Sequence, residues 1–231
     1  MQLFYEPNAS ADGFILNKEE AQHCIKVLRK KIGDVVHVID GKGSFFECTI
    51  QNDNPKSCSL SVNKFWNENP PKRHIHIAIA PTKNIDRIEW FTEKAVEIGV
   101  QEISFIYCQN SERKDIKLER IFKKAVSAMK QSVKASLPSI NEQVKFGDFI
   151  KAYNHVNKFI AYVDMENPDQ LKDLDNGSSD TLVLIGPEGD FSEAELKLAL
   201  TNGYQKIGLG TSRLRTETAG IVACTILNNL N

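Results

Sequence analysis

From His74 onward the sequence alternates short aliphatic runs with stretches of helical periodicity. That alternation constrains the fold more than any other feature of the chain. His74 to Ala80, Ile103 to Tyr107, Phe159 to Val163 and Thr181 to Ile185 read as strands, the last two of a buried type. Ile88, Phe91, Ala95 and Ile98 line one helical face, which Gly99 can end. Leu118, Ile121, Phe122, Ala125 and Met129 mark a long amphipathic helix closed near Pro138. A helix is expected at Ser192 to Leu200, a short strand around Ile207, and a last helix from about Thr216 to Leu230. Repeated βα units of this kind specify an α/β domain with a mostly parallel sheet.

The residues before His74 follow a different rhythm. Lys18 to Leu28 has a helical pattern, with Ala21, Ile25 and Leu28 on one face. Val35 to Ile39, Phe45 to Ile50 and Ser57 to Phe65 read as strands. Asp40-Gly41-Lys42-Gly43 supplies the turn between the first two. Asn67-Glu68-Asn69-Pro70-Pro71 is the best linker in the chain. Two domains are therefore expected, residues 1–70 and residues 71–231.

Composition excludes several classes. The 29 Lys and Arg against 30 Asp and Glu leave a net charge of -1, so overall charge does not point to nucleic acid or membrane. No apolar run approaches the ~18 residues of a spanning helix, and the first residues lack the pattern of a signal peptide. The five cysteines are odd in number and contain no C-x-x-C pair, which fits a reducing cytoplasm with neither disulfide framework nor zinc site. His23, His37, His74, His76 and His155 have no metal-ligand spacing, and His37 and His76 read as packing or surface residues.

Charge is uneven locally. Residues 111–134 hold eight basic against three acidic side chains, either the solvated face of one helix or a surface for an RNA backbone. Residues 164–200 hold two against ten. Arg29-Lys30-Lys31 is a small cluster at a helix end, where dipole stabilisation is the simplest account.

The usual nucleotide signatures are missing. Gly41-x-Gly43 lies between two strands with Phe46 in the third glycine position, so it is a hairpin turn. There is no P-loop and no G-x-S-x-G elbow. Two later segments stand out. Ile185-Gly186-Pro187-Glu188-Gly189-Asp190-Phe191 follows a buried strand and precedes a capping box made by Ser192 and Glu195. Ile207-Gly208-Leu209-Gly210 leads through Arg213, Leu214 and Arg215 into a helix for which Thr216 is a plausible N-cap. Glycines at such strand ends let backbone amides approach a ligand. Ligands in open α/β sheets bind beyond the carboxyl ends of strands, so a pocket shared by both loops is expected. The plain alternatives are well-capped βα loops and surface ion pairs for the arginines.

Taken together, Ile185 to Gly189, Leu209-Gly210 and Leu214-Arg215-Thr216-Glu217-Thr218-Ala219 resemble the signature of the SPOUT methyltransferases. His23 with Val27-Leu28-Arg29, Gly33-Asp34, Lys94 to Val100, Ser111-Glu112-Arg113 and Lys130-Gln131-Ser132 are similar to further motifs of the RsmE family within them. Lys134 stands where that family often has arginine, which keeps the charge but loses the planar fork. The order and spacing of these pieces cover nearly the whole chain.

The resemblance implies a small PUA-like β-barrel RNA-binding domain followed by an α/β methyltransferase domain with a trefoil knot, working as a homodimer. It implies S-adenosylmethionine as cofactor, S-adenosylhomocysteine as product and no metal. The activity implied is methylation of the N3 ring nitrogen of a uridine in 16S rRNA of the small ribosomal subunit. The cofactor loops map onto Ile185, Gly186, Pro187, Glu188, Gly189, Leu209, Gly210, Leu214, Arg215, Thr216 and Thr218. Apolar Ile185, Leu209 and Leu214 can sandwich the adenine while backbone groups read its edge. The loop after Val163 is a further candidate to close the pocket. Arg215 is expected to stabilise the anion or orient the base. Glu217, Glu188 or a water is expected to take the proton, while a dipole-favoured helix-start residue is the plain account of Glu217. Arg29, Lys30, Arg113 and Lys114 are the RNA-binding candidates, with Lys123 and Lys130 behind them. A non-catalytic RNA-binding or assembly factor on the same fold, and a hydrolase using the acidic 164–200 stretch, are the competing classes.

Overall fold

The computed structural model describes residues 2–153, 157–164, 169–174 and 180–229. The chain divides into two compact units, Met1–Pro70 with Val126–Leu137 and Pro71–Ala125 with Pro138–Asn231. Residues 126–137, which the sequence reading placed in the second domain, thus group with the first unit.

The first unit contains β1 (Leu3–Tyr5), β2 (Phe14–Ile15), α1 (Lys18–Gln22), β3 (Val35–Ile39), β4 (Ser44–Asn52) and β5 (Ser59–Asn67). They form a five-stranded sheet in the order β1-β3-β4-β5-β2, parallel between β1 and β3 and antiparallel elsewhere. Alternate residues of a strand share a face, so Val36, Val38, Phe46, Cys48 and Ile50 pack inward with Phe4. The β3–β4 turn is held by the Asp40 carboxylate, which accepts from the amides of Lys42 and Ser44 at 2.7 and 2.9 Å. Gly41 and Gly43 take φ of 75° and 107°, which glycine adopts without strain. The expected helix over Lys18–Leu28 is instead a short α1 that widens into a π-helical turn at His23–Val27, closed by the Leu28 amide on the His23 carbonyl at 3.0 Å. Arg29 then leaves the helix at φ 55°. Strands β1 and β2 escape a periodicity reading because they are three and two residues long.

Residues 126–137 join this unit through polar contacts. The Glu68 carboxylate accepts from the amides of Ala135 and Ser136 at 3.1 and 3.0 Å. Lys130 Nζ pairs with the buried Glu20 at 2.6 Å. The expected linker is therefore tied down at Glu68.

The second unit begins with β6 (His74–Ile79), α2 (Ile85–Ile98), β7 (Glu102–Tyr107) and α3 (Leu118–Gln131), the last turns of which lie in the 126–137 segment. It continues with β8 (Ser139–Lys145), α4 (Phe146–Ala152), β9 (Asn157–Ala161), α5 (Leu171–Leu174), β10 (Asp180–Ile185), α6 (Glu193–Thr201), β11 (Gln205–Ile207) and α7 (Thr216–Asn229). Six strands form one sheet in the order β11-β9-β10-β6-β7-β8, with each pairing parallel. Strand alternation builds a core on each face. Ile75, Ile77, Ile79, Val183 and Ile185 join one cluster; Ala78, Ala80, Leu182 and Leu184 join the other.

Local chemistry sets the boundaries. Asn84 caps α2 by accepting from the Asp86 amide, and Gly99 ends it at φ 115°. Ser192 and Glu195 form the expected capping box of α6. Thr216 is the first residue of α7 rather than its cap, because the Arg215 carbonyl already accepts from Ala219 at 2.8 Å. Gly220 lets α7 approach α2: a Cβ there would lie 2.6 Å from the Phe91 ring. Strand β8 and helix α4 were not anticipated; the exposed, polar character of Ser139–Lys145 hides its strand nature. His155 and Leu230 lie outside the described residues.

Candidate functional site

The carboxyl ends of β9, β10 and β11 are adjacent in the sheet, at Ala161, Ile185 and Ile207. A cleft of about 430 Å³ opens there, lined by the loops after each strand and by the start of α7. Small-molecule sites of this type span ~300–1,000 Å³.

One wall is the loop after β10. Gly186, Pro187, Glu188 and Asp190 line the cleft. The Glu188 carboxylate accepts from the Lys83 amide at 3.0 Å. Asn110 Nδ2 donates to the carbonyls of Gly189 and Asp190 at 3.2 and 3.0 Å. Asp190 sits at φ 60° and accepts from the Phe191 and Val163 amides at 2.8 and 3.2 Å. Burial raises its carboxyl above the ordinary range, against the opposing pull of those two amides and Arg213.

The facing wall is the loop after β11, contributing Gly208 through Thr216. Gln170 braces it, accepting from the Gly210 amide at 2.9 Å. A Cβ on Gly208 would lie 2.6 Å from the Gln170 amide, so the glycine leaves room for that side chain where it stands. Beyond Gly210 the wall is open: Thr211, Ser212, Arg213 and Arg215 are all exposed.

The structure brings Ile185, Gly186, Pro187, Glu188, Leu209, Gly210, Leu214, Arg215 and Thr216 around one cleft. Gly189, Thr218 and Glu217 are not among its lining residues. Gly189 instead packs on Asn110. Glu217 is buried behind Thr216, its Oε1 3.7 Å from Arg87 Nε and its Oε2 without a hydrogen-bond partner among the described residues. Arg87, Tyr162, Asp164 and Gln170 also line the cleft and carried no sequence signal as site residues. Only the loop after Val163 had been flagged; Asp164 and Gln170 belong to it, while residues 165–168 lie outside the described residues.

The basic run at 111–134 is largely engaged by acids and carbonyls. Arg120 pairs with Glu89 at 2.6 Å, Lys123 with Glu119 at 2.7 Å and Lys124 with Glu93 at 3.6 Å. Arg113 donates through Nε to the Thr82 carbonyl at 3.0 Å and through Nη2 to the Lys83 carbonyl at 2.5 Å. Lys114 is exposed beside it. In the first unit Arg29 is exposed and Lys30 half-buried, its amide donating to the Cys24 carbonyl at 3.1 Å. His76 is buried with Nε2 2.8 Å from Ser104 Oγ, and His37 lies 3.7 Å from Glu47 on the sheet of the first unit. Among the described residues, no group of three or more His, Cys, Asp or Glu could hold a metal ion, and no helix is long and apolar enough to cross a membrane.

Fold and cleft together are those of an α/β methyltransferase domain, and comparison with known proteins agrees. Residues 68–228 match the model of an RNA methyltransferase domain, and residues 16–63 that of an RNA methyltransferase PUA domain. The ribosomal RNA small subunit methyltransferase E of Mesomycoplasma hyopneumoniae is 30% identical, over 97% of this chain and 98% of that one. A crystal structure of a probable rRNA-methyltransferase from Porphyromonas gingivalis is 45% identical with a TM-score of 0.92, covering 100% of this chain and 98% of that chain. The ribosomal RNA small subunit methyltransferase E from Neisseria gonorrhoeae, solved bound to S-adenosyl methionine, is 25% identical with a TM-score of 0.88, again covering 100% and 98%. The chain belongs to the RNA methyltransferase family, and within it to the ribosomal RNA small subunit methyltransferase E group.

Proposed function

We propose that the protein methylates N3 of a uridine in 16S rRNA of the small ribosomal subunit, in the cytoplasm and as a homodimer, using S-adenosylmethionine. The observation that carries this is the cleft at the ends of β9, β10 and β11, with exposed Arg215 at its side, in a chain of the small-subunit rRNA methyltransferase E group. The cleft suits the cofactor. Ile185, Leu209 and Leu214 supply apolar surface for an adenine ring, and the glycine-bearing loops leave room for a ligand against their backbone. A cradle of Gly186, Pro187, Glu188, Leu209, Gly210 and Thr216 holds it; Gly189 and Thr218 stand outside its lining.

S-adenosylmethionine, when bound, supplies the sulfonium-activated methyl group and leaves as S-adenosylhomocysteine. The chain must do the rest. Neutral uracil carries a proton on N3, so that proton must leave and the charge developing on the flanking carbonyl oxygens must be stabilised. Arg215 provides the guanidinium for that charge. Glu217 Oε2 has no hydrogen-bond partner among the described residues but lies off the cleft lining, so it takes the proton only through an intervening water. Glu188 is the second candidate, since it lines the cleft. Glu217→Gln and Glu188→Gln separate them: the variant whose kcat falls while S-adenosylmethionine affinity holds has lost the acceptor.

Residues 1–70 are assigned the RNA-binding role, through Arg29 and Lys30, with Arg113 and Lys114 on the other unit. The target uridine must be unstacked to expose its ring edge. The near-neutral charge favours an assembled particle as substrate. A trefoil knot belongs to the same proposal. Strand β11 lies at the sheet edge beside β9, yet α7 returns to pack on β6 and β10.

The test is transfer of labelled methyl from S-adenosylmethionine to small subunits lacking the modification, run beside naked 16S transcript. Label in the particle and not in the transcript is expected. Equal labelling of both would remove the particle requirement. No label in either, with cofactor bound, would point to a different RNA; no cofactor binding at all would favour the non-catalytic RNA-binding class.

A further inference from the structure

Resting on the function proposed above, we propose that a second groove in the α/β unit is an RNA subsite, seating the phosphate and ribose of a nucleotide that flanks the target uridine. The groove has a volume of about 380 Å³ and lies between the carboxyl ends of β7 and β8 and residues 114–118. Strand register puts Gln143 opposite Phe105 and Lys145 opposite Tyr107. Alternate residues share a face, so Gln143, Lys145 and Tyr107 look to the same side of the sheet. Ile116 and Leu118 pack against the core on that side, and the groove runs under them.

Three observations ask for a ligand rich in acceptors. Gln143 Nε2 is buried with no hydrogen-bond partner among the described residues, although buried donors are nearly always satisfied. Lys114 and Lys145 are exposed cations on opposite walls, neither in an ion pair among the described residues. The groove also opens at the same carboxyl edge of the parallel sheet as the cofactor cleft. The path between them is short in bonds: Glu188 of the cleft accepts from the Lys83 amide, the Lys83 carbonyl accepts from Arg113, and Lys114 follows.

The acids of the groove narrow the occupant. Asp115 and Glu142 also line it, so its formal charge is balanced. A pyrophosphate would meet repulsion from these carboxylates. A single phosphate with a ribose meets two lysines and an amide donor, and its 2′-hydroxyl can donate to a carboxylate. Tyr107 offers a ring at the floor.

The test uses the full chain, small subunits lacking the modification, and the variants Gln143→Ala, Lys145→Ala and Lys145→Glu. KM for the subunit is expected to rise about 5–10-fold in each alanine variant, on the scale of one net hydrogen bond, and further in Lys145→Glu. KM for S-adenosylmethionine and kcat should hold. For Lys145→Ala the slope of log KM against log salt should shrink by about 0.7–0.9, as expected for one lost phosphate contact. If the wild type methylates and both alanine variants keep the subunit KM within about twofold, the subsite is refuted and the activity stands. If both KM values rise together with a lowered melting temperature, the groove is structural and the proposal is again refuted. If the wild type methylates no rRNA, the function fails and the subsite with it.

Discussion

The two walls of the cleft at the ends of β9, β10 and β11 are built from the same parts, a strand end with glycines leading into a helix, yet they are held differently. The wall after β10 is pinned at nearly each residue: Glu188 by Lys83, Gly189 and Asp190 by Asn110, and the Asp190 carboxylate by Phe191 and Val163. The wall after β11 is braced at Gly208 and Gly210 and then runs exposed through Arg213 and Arg215 to α7. Under the proposed function the cleft must fix a cofactor and admit a large RNA, which calls for both kinds of wall. Preorganisation serves the ligand that is always the same, and exposed cations serve the one that arrives.

Breaking the exposed wall should have the largest effect. Arg215→Ala is expected to lower kcat by about 100-fold or more, the scale of a lost group that stabilises developing charge. Cofactor affinity by calorimetry should stay within about twofold. Loss of cofactor binding alone would move Arg215 from chemistry to the cradle. Next comes the brace. Gln170→Ala removes the acceptor for the Gly210 amide, and S-adenosylmethionine should bind about 5–10-fold more weakly, the worth of one hydrogen bond. Unchanged binding would mean that the second wall holds itself.

On the pinned wall, Asn110→Ala strips two donors from the Gly189 and Asp190 carbonyls and should cost about 1 kcal/mol in denaturant unfolding. A loss of kcat without loss of stability would contradict a purely scaffolding role. The smallest effect is expected at Asp190. Burial raises its folded pKa above 3.8, so its protonated form favours folding. That contribution is complete below 3.8 and is lost as pH rises through the folded value. Asp190→Asn has no such loss, so melting curves should favour the variant increasingly from acid to neutral pH. A difference that does not change with pH would refute this.

The two walls also separate what could be read from the sequence. Ile185 to Asp190 and Gly208 to Thr216 were legible because glycine, proline and caps act within a few residues. The same locality made Gly99 and the Ser192–Glu195 box readable. Arg87 and Gln170 were not legible. Their roles come from contacts between segments far apart in the chain, where Gln170 meets Gly208 and Arg87 meets Glu217. Glu217 read as a residue facing the reaction, but helical rotation turns it from the lining toward Arg87. The basic run, read as either a solvated helix face or an RNA surface, also depends on distant partners: Glu89 and Glu93 on α2 pair with Arg120 and Lys124 of α3. Strand β8 stayed hidden because a polar edge strand lacks the apolar signal of a buried one.

The most direct test of the account is nucleoside analysis of 16S rRNA after incubation of unmodified small subunits with the protein and methyl-labelled S-adenosylmethionine. The account predicts that the label elutes as N3-methyluridine and disappears with Arg215→Ala. Label in any other nucleoside, or undiminished N3-methyluridine from the Arg215→Ala variant, would contradict it.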